Sequence, residues 1–112
     1  MASADLDLLR GTLDLMALKA LSWGPMHGLG VLRWIEQASA DRLQITEGAL
    51  YPALHRMEER GWLDAEWAIT EKNREAKFYK LTPAGRRALA DQLSRWHRYS
   101  ETVGFVLAFR GA

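Results

Sequence analysis

The chain has 112 residues, the usual size of one domain, of which 48% are hydrophobic and 26% are charged. This composition excludes intrinsic disorder and low-complexity sequence. Fifteen Lys and Arg against fourteen Asp and Glu give a net charge of +1, so the total charge alone gives no reason to expect a nucleic-acid partner. Because cysteine is absent, a disulfide scaffold, a thiolate nucleophile and a Cys-ligated zinc site are excluded.

Two sequence patterns bear on cellular location. No apolar run is long enough to cross a membrane as a helix. The first seven residues carry two Asp and neither Lys nor Arg, which is the opposite of the basic start of a signal peptide. We therefore expect a cytoplasmic protein that makes no use of a membrane.

The first predicted helix covers residues 5–21 and is apolar on two faces. One stripe at helical spacing contains Leu6, Leu9, Leu13, Met16 and Ala20, and a neighbouring stripe contains Leu8, Leu15 and Leu18. A helix with two apolar faces is buried on both of them. Either one stripe faces a second copy of the chain or both meet the same core, and the pattern leaves the two alternatives open.

Two further helices are predicted before the middle of the chain. Gly24 and Pro25 end the first helix, and the second covers residues 26–39. The third begins after Thr46, whose hydroxyl is expected to cap the first turn, and ends at Gly61. Pro52 lies within it, so its start is predicted only to within a few residues. Its apolar stripe comprises Leu50, Ala53, Leu54 and Met57.

Beyond Gly61 the apolar period changes to two, which predicts a half-buried strand. Its alternating positions are Leu63, Ala65, Trp67 and Ile69. A second strand is predicted over residues 76–81, and the polar stretch 70–75 makes the pair a β-hairpin with a charged tip.

The last predicted helix covers residues 83–109 and opens with Thr82 followed by Pro83, the preferred start of a helix. At 1.5 Å per residue it is about 40 Å long, more than a domain of this size can cover. A heptad seam runs along it through Leu89, Leu93, Trp96, Ser100, Val103 and Leu107. We therefore expect dimerisation through this helix, in which Leu8, Leu89, Val103 and Leu107 take part.

This order of elements predicts a mainly α chain with a small β-hairpin, namely a winged helix-turn-helix. We expect residues 1–82 to form the winged helix-turn-helix region and residues 83–112 the dimerisation helix, within one compact unit. In such a fold the third helix enters the major groove of DNA and the hairpin lies along the flanking backbone.

Catalytic patterns are absent from the sequence. The three histidines, His27, His55 and His97, have no metal-ligand spacing. Gly28 and Gly30 lack the third glycine of a dinucleotide-binding turn, and no phosphate-binding loop occurs. We therefore predict that the chain is not an enzyme and carries neither metal nor cofactor.

Charge is distributed unevenly along the chain. Residues 1–41 carry a net charge of −2 and residues 42–71 a net charge of −3, whereas residues 72–98 carry +6. The basic residues of the last segment are Lys72, Arg74, Lys77, Lys80, Arg86, Arg87, Arg95 and Arg98. Such a local concentration of positive charge suits phosphate neutralisation, although a solvated charged face would give the same pattern.

The polar side of the third helix carries groups that suit DNA. Gly48 is small enough for a close approach to the duplex. Tyr51 and His55 lie one turn apart and can donate hydrogen bonds to phosphates or bases, while Arg56 can reach a phosphate or a guanine. Glu47 is unfavourable beside a phosphate. An alternative for Tyr51 is half-burial under the hairpin.

Residues 46–63, TEGALYPALHRMEERGWL, closely resemble the PadR family of transcriptional regulators. Residues 25–28, PMHG, and residues 78–85, FYKLTPAG, match the same family. The similarity extends from about Leu8 to Trp96, and the Leu-Tyr-Pro-x-Leu segment is quite specific. The short length resembles a small subfamily whose dimers are built from the first and last helices.

The resemblance implies a homodimeric repressor on a palindromic operator of double-stranded DNA. It places Tyr51 near the DNA backbone and makes the hairpin a basic wing. Together with the polar side of the third helix, the predicted DNA-binding residues are Thr46, Gly48, Tyr51, His55, Arg56, Lys72, Asn73, Arg74 and Lys77. Two other functions stay open: a winged helix that binds a protein partner through its acidic segment and Trp62 or Trp67, and small-molecule carriage without DNA binding.

The resemblance also implies an effector site. In several small members the aromatic that matches Trp96 faces its dimer mate across a central pore and stacks planar effectors. Leu15, Leu18, Leu93 and Ser100 would line that pore. Ser100 carries no charge and Lys19 could add a positive one, so neutral or anionic aromatics suit the pore at least as well as cations. Alternatively, Trp96 only packs the dimer seam.

Overall fold

The computed structural model describes residues 11–111. The elements are α1 (Thr12–Leu21), β1 (Met26–His27), α2 (Gly28–Ala38), α3 (Glu47–Glu59), β2 (Leu63–Ile69), β3 (Glu75–Leu81) and α4 (Pro83–Ala108). This order confirms the predicted mainly α architecture with a β-hairpin and a long last helix. Residues 5–10 of the first predicted helix, and Leu8 with them, lie outside the described residues.

The sheet has three antiparallel strands in the order β1-β3-β2. The second helix was predicted to begin at residue 26, and this is wrong because Met26 and His27 pair with Tyr79 and Phe78 of β3. His27 keeps an extended backbone, and its Nδ1 accepts a hydrogen bond from the Gly30 amide at 3.1 Å. It therefore acts as the N-cap of α2, which starts one residue later.

The hydrophobic core lies where α1, α2, α3 and the base of the hairpin meet. Its largest completely buried side chains are Leu18, Leu21, Val31, Ile35, Leu50, Leu54, Met57 and Leu63. Leu18 belongs to the second apolar stripe of the first helix, so this stripe reaches the core of its own chain. Leu15, in the same stripe, is only half-buried.

The hairpin formed by β2 and β3 extends beyond the core. Leu63 and Ala65 face inward at its base, but Trp67 and Ile69, which continue the same alternation, are exposed. The expectation of a strand that is half-buried over its whole length is therefore wrong for the outer half, because nothing in residues 11–111 covers it. The hairpin is the wing of the fold.

The fourth helix is anchored at its first turn, packs against the core through Ala88 and Leu89, and leaves the domain only beyond Trp96. Leu89, which the sequence places on the dimer seam, is thus half-buried within its own chain. The Thr82 hydroxyl donates to the Gly61 carbonyl at 2.6 Å and accepts from the Gly85 amide at 3.0 Å. A Cβ at Gly85 would overlap the carbonyl oxygen of Trp62, so this turn lies directly against the backbone. With 26 residues α4 is about 39 Å long, and all its side chains after Trp96 are exposed.

Several of these exposed side chains are large and apolar. They include Val103, Phe105, Val106 and Leu107.

Within residues 11–111 no helix is long and apolar enough to span a membrane.

Candidate nucleic-acid interface

The outward face of α3 is formed by residues at spacings of four, three and four positions, Gly48, Pro52, His55 and Glu59. All four are exposed. As predicted, Thr46 caps the helix, and its Oγ1 accepts from the Ala49 amide at 3.1 Å. Pro52 has no amide hydrogen, so the Gly48 carbonyl lacks its intrahelical donor. This face carries little positive charge of its own.

Arg56 and His55, two of the side chains of α3 predicted to contact DNA, each have a partner within the chain. Arg56 donates from Nη2 to Asp14 Oδ1 of α1 at 3.3 Å, and the Asp14 side chain is only 16% exposed. His55 lies 3.4 Å from Glu59 Oε2, one turn further along α3. Arg56 therefore lies on the flank of α3 next to α1 and not at the centre of its outward face.

Tyr51 lies on the opposite flank of α3. Its ring packs against Gly28 at the start of α2, where a Cβ would overlap the ring. Tyr51 is 40% exposed, so about half of it is covered, and α2 supplies the close contact to its ring. Burial against α2, followed by the nearby Glu47 carboxylate, raises the pKa of Tyr51 above its ordinary value of 10.0. The hydroxyl is therefore neutral and can donate to a phosphate.

The tip of the wing is a tight turn organised by Thr70. Its Oγ1 accepts from the amides of Lys72 and Arg74, at 3.2 Å each, and its own amide donates to the Arg74 carbonyl at 2.7 Å. Asn73 adopts a left-handed backbone with φ of 59°, which asparagine tolerates better than most residues. Lys72, Asn73 and Arg74 are all exposed at this turn.

Lys77 lies nearer the base of the wing and is tied to α3. Its Nζ donates to Glu58 Oε1 at 2.9 Å and lies 5.5 Å from the centre of the Tyr79 ring. The hydrogen bond to Glu58 raises the pKa of Lys77 above 10.5. Although the sequence predicts Lys77 as a DNA contact, the structure gives it a partner that connects the wing to α3.

A groove with a volume of about 680 Å³ separates the wing from α2 and α3. We call it the wing groove. Its walls carry four basic side chains and three large rings, namely Arg33, Lys72, Arg74, Lys77, Tyr51, Trp67 and Tyr79. The sequence predicts four of these seven as DNA-binding. Arg33 and Trp67 join them only through the tertiary fold. The sequence gives no signal for Arg33, and it marks Trp67 as a strand residue and a candidate protein contact but not as a DNA contact.

A second groove, of about 610 Å³, lies between α1 and α4. We call it the α1–α4 groove. Its walls include Asp14, Leu15, Arg95, Trp96 and Tyr99. Leu15 and Trp96, two of the predicted effector residues, are thus brought together.

The other predicted effector residues are placed differently. The prediction that Leu18 lines a pore is wrong, because its side chain is completely buried in the core. Leu93 and Ser100 are exposed on α4 but do not line the α1–α4 groove. Lys19 lies over the ring of Trp23 at 5.8 Å, and the charged side chains of the groove are instead Asp14 and Arg95.

The element order, the exposed third helix and the basic wing define a winged helix-turn-helix protein of the DNA-binding class. Residues 17–91 match the model of the transcriptional regulator PadR-like family. The chain belongs to this family, as its motifs predicted. Its members are regulators of transcription that bind DNA, and the family is not one of enzymes.

Two of three individual relatives are themselves described as transcriptional regulators. A PadR family transcriptional regulator from Eggerthella lenta is similar in structure, with a TM-score of 0.78 and 29% identity, over 90% of this chain and 86% of that one. A transcriptional regulator of Mycobacterium tuberculosis is 39% identical over 59 residues, 52% of this chain and 54% of that protein. A Streptomyces fradiae transposon protein is 38% identical over 90 residues, 80% of this chain but 24% of that protein.

Proposed function

We propose that this protein is a transcriptional repressor that binds a palindromic operator as a homodimer and releases it in response to a planar aromatic effector. The observation that carries the DNA-binding part is the wing groove, with four basic side chains beside an exposed α3. An α-helix fits the major groove, and basic side chains beside it meet the phosphates. Residues 1–82 would form the DNA-binding region and residues 83–112 the dimerisation helix.

The wing contribution is tested through the salt dependence of binding. Replacing Lys72 and Arg74 by Ala should flatten the plot of log affinity against log salt concentration by about 1.8, since each lost phosphate contact contributes about 0.9. Lys80→Ala is the matched control, because Lys80 is exposed on the other face of β3. An unchanged slope in the double variant would remove the wing from the interface.

The homodimer is supported by α4, whose outer half presents Val103 and Leu107 to solvent, the latter 81% exposed. An apolar stripe that its own chain cannot cover is a suitable surface for a second copy. Leu107→Asp should convert the dimer to a monomer, because a carboxylate at an apolar seam is costly to bury. Light scattering after gel filtration gives the mass, and Arg98→Asp, on the opposite side of α4, should stay dimeric.

The operator is tested by footprinting on the DNA upstream of the chain's own coding region. A protected inverted repeat, with half-sites about one helical turn apart, is expected for two symmetric recognition helices. Protection without any inverted repeat would contradict the palindrome.

Addition of the protein to a transcription reaction on this template should lower the yield of transcript if the protein represses. A role on chromosomal DNA also agrees with the cytoplasmic location expected from the sequence.

The effector response is supported by the α1–α4 groove, where Trp96 and Tyr99 offer aromatic faces. Offset stacking on such a face contributes about 0.5–1.5 kcal/mol beyond the burial of area. Neutral, anionic and cationic planar dyes should therefore be titrated against wild type and Trp96→Ala, with tryptophan fluorescence as the signal. Quenching in wild type that is weakened in Trp96→Ala is expected. Equal responses would leave Trp96 as a packing residue only.

A further inference from the structure

Two side chains of the wing groove have no evident role in the fold. Trp67 continues the inward-facing alternation of Leu63 and Ala65, yet it is 66% exposed. Arg33 projects from α2 into the same groove and forms no ion pair with any residue between 11 and 111. An exposed indole and an unpaired guanidinium that share one groove form a surface suited to a ligand with an anionic and an apolar part.

The topology restricts what can occupy this groove. When α3 lies in the major groove, the sugar-phosphate strand at the edge of that groove must run beside the helix. The wing stands on one side of α3, so a strand between the two passes through the wing groove. Lys77 is already paired with Glu58, so the path is lined by three other basic side chains, Arg33, Lys72 and Arg74, against the carboxylates of Glu71 and Glu75. The groove therefore keeps a small positive excess.

We propose that the wing groove seats one sugar-phosphate strand of the DNA, with Arg33 and Trp67 as its contacts opposite the wing tip and α3. The guanidinium of Arg33 forms two parallel hydrogen bonds to one phosphate, a geometry that suits arginine better than lysine. The indole ring of Trp67 covers the apolar face of a neighbouring deoxyribose. Neither contact reads a base, so both act on every DNA sequence alike.

The two contacts predict different signatures, and this makes the proposal testable with a fluorescein-labelled random-sequence duplex. Arg33→Ala should weaken binding and flatten the salt slope by about 0.9, because one phosphate contact is lost. Arg33→Lys should keep the slope and lose only part of the affinity. Trp67→Ala should weaken binding about tenfold with the slope unchanged, because the lost contact is apolar.

Matched controls are present in the same chain. Arg42 is exposed and Trp23 is 71% exposed, and neither lines the wing groove. Arg42→Ala and Trp23→Ala should bind the duplex like wild type. Since the four replaced side chains are exposed, thermal unfolding should stay near that of wild type in every variant.

The outcomes separate this inference from the proposed DNA-binding function on which it rests. If wild type fails to bind the duplex at low salt, the proposed function fails. If wild type binds, but Arg33→Ala keeps the wild-type slope or Trp67→Ala binds as tightly as Trp23→Ala, only the seating of the strand in the wing groove is overturned.

Discussion

At the scale of single residues, two glycines let another part of the chain come close, a backbone group at Gly85 and a side chain at Gly28. Gly85 lies against a backbone carbonyl, that of Trp62, which cannot move without moving the strand. Gly28 lies against the outer atoms of the Tyr51 ring, the far end of a side chain that lines the wing groove. The first contact anchors α4 to the domain, and the second fixes the position of a predicted DNA contact.

Gly28→Ala should therefore separate DNA binding from stability. The new methyl group displaces the Tyr51 ring, while alanine in place of glycine lowers the entropy of the unfolded chain and so offsets about 0.4–1 kcal/mol of the cost. We expect a free energy of unfolding within about 1 kcal/mol of wild type, measured with urea, and DNA binding about tenfold weaker. Wild-type affinity in Gly28→Ala would show that the ring position does not matter.

At the scale of elements, the wing and α3 are connected by one partly buried ion pair, Lys77 with Glu58. Because the folded state raises the pKa of Lys77, the contribution of this pair to stability is complete below pH 10.5. It is lost as the pH rises through the raised pKa. Burial is the largest cause of the raised pKa of Tyr79. Tyr79 therefore also makes the folded state less stable as the pH rises.

We expect Lys77→Met to be less stable than wild type by about 0.5–1 kcal/mol at pH 8. The difference should shrink steadily as the pH rises above 10.5, where Lys77 of wild type loses its proton. Urea unfolding over this pH series measures it. Lys80→Met, which removes an exposed lysine three residues further along the same strand, should show no such convergence. A constant difference for Lys77→Met would contradict the role of the ion pair.

Elements whose signals are local could be predicted from the sequence. Thr46 and Thr82 cap their helices as expected, because a capping hydroxyl needs only the amide three residues further on. The two-residue strand β1 could not be predicted, since its hydrogen bonds go to β3, about fifty residues away. The burial of Leu18 could not be predicted either, because the sequence pattern of two neighbouring apolar stripes does not show which one packs in the core.

At the scale of the whole molecule, positive charge converges on one side through residues that are remote in sequence. The basic wing was visible from the segment charges, but Arg33 lies in a segment whose net charge is negative. The pair of Arg56 and Asp14 joins residues 42 positions apart, and no spacing rule indicates it. Site residues that lie together on one element could therefore be predicted from the sequence. Contacts between residues of two different elements could not.

The ion pair between Arg56 and Asp14 connects α3 to α1, and it leads to a further expectation. Asp14→Asn removes the negative charge 3.3 Å from the Arg56 guanidinium, which is then available to a phosphate. DNA binding should become tighter at low salt, with a salt slope steeper by about 0.9. Asp91→Asn, whose partner Arg95 lies at 4.0 Å on the same helix, is the control. Weaker binding by Asp14→Asn would instead mean that the pair orients α3.

Asp14 takes part in two sites. It lines the α1–α4 groove, and it accepts a hydrogen bond from Arg56 of α3, the helix proposed to enter DNA. Sites that share a residue obey reciprocity: a compound that lowers the affinity for DNA by some factor is itself bound more weakly to the DNA-bound protein by the same factor. Chromosomal DNA would then compete with the effector for binding to the protein. The number of operators in a cell would help to set the effector concentration at which the regulator responds.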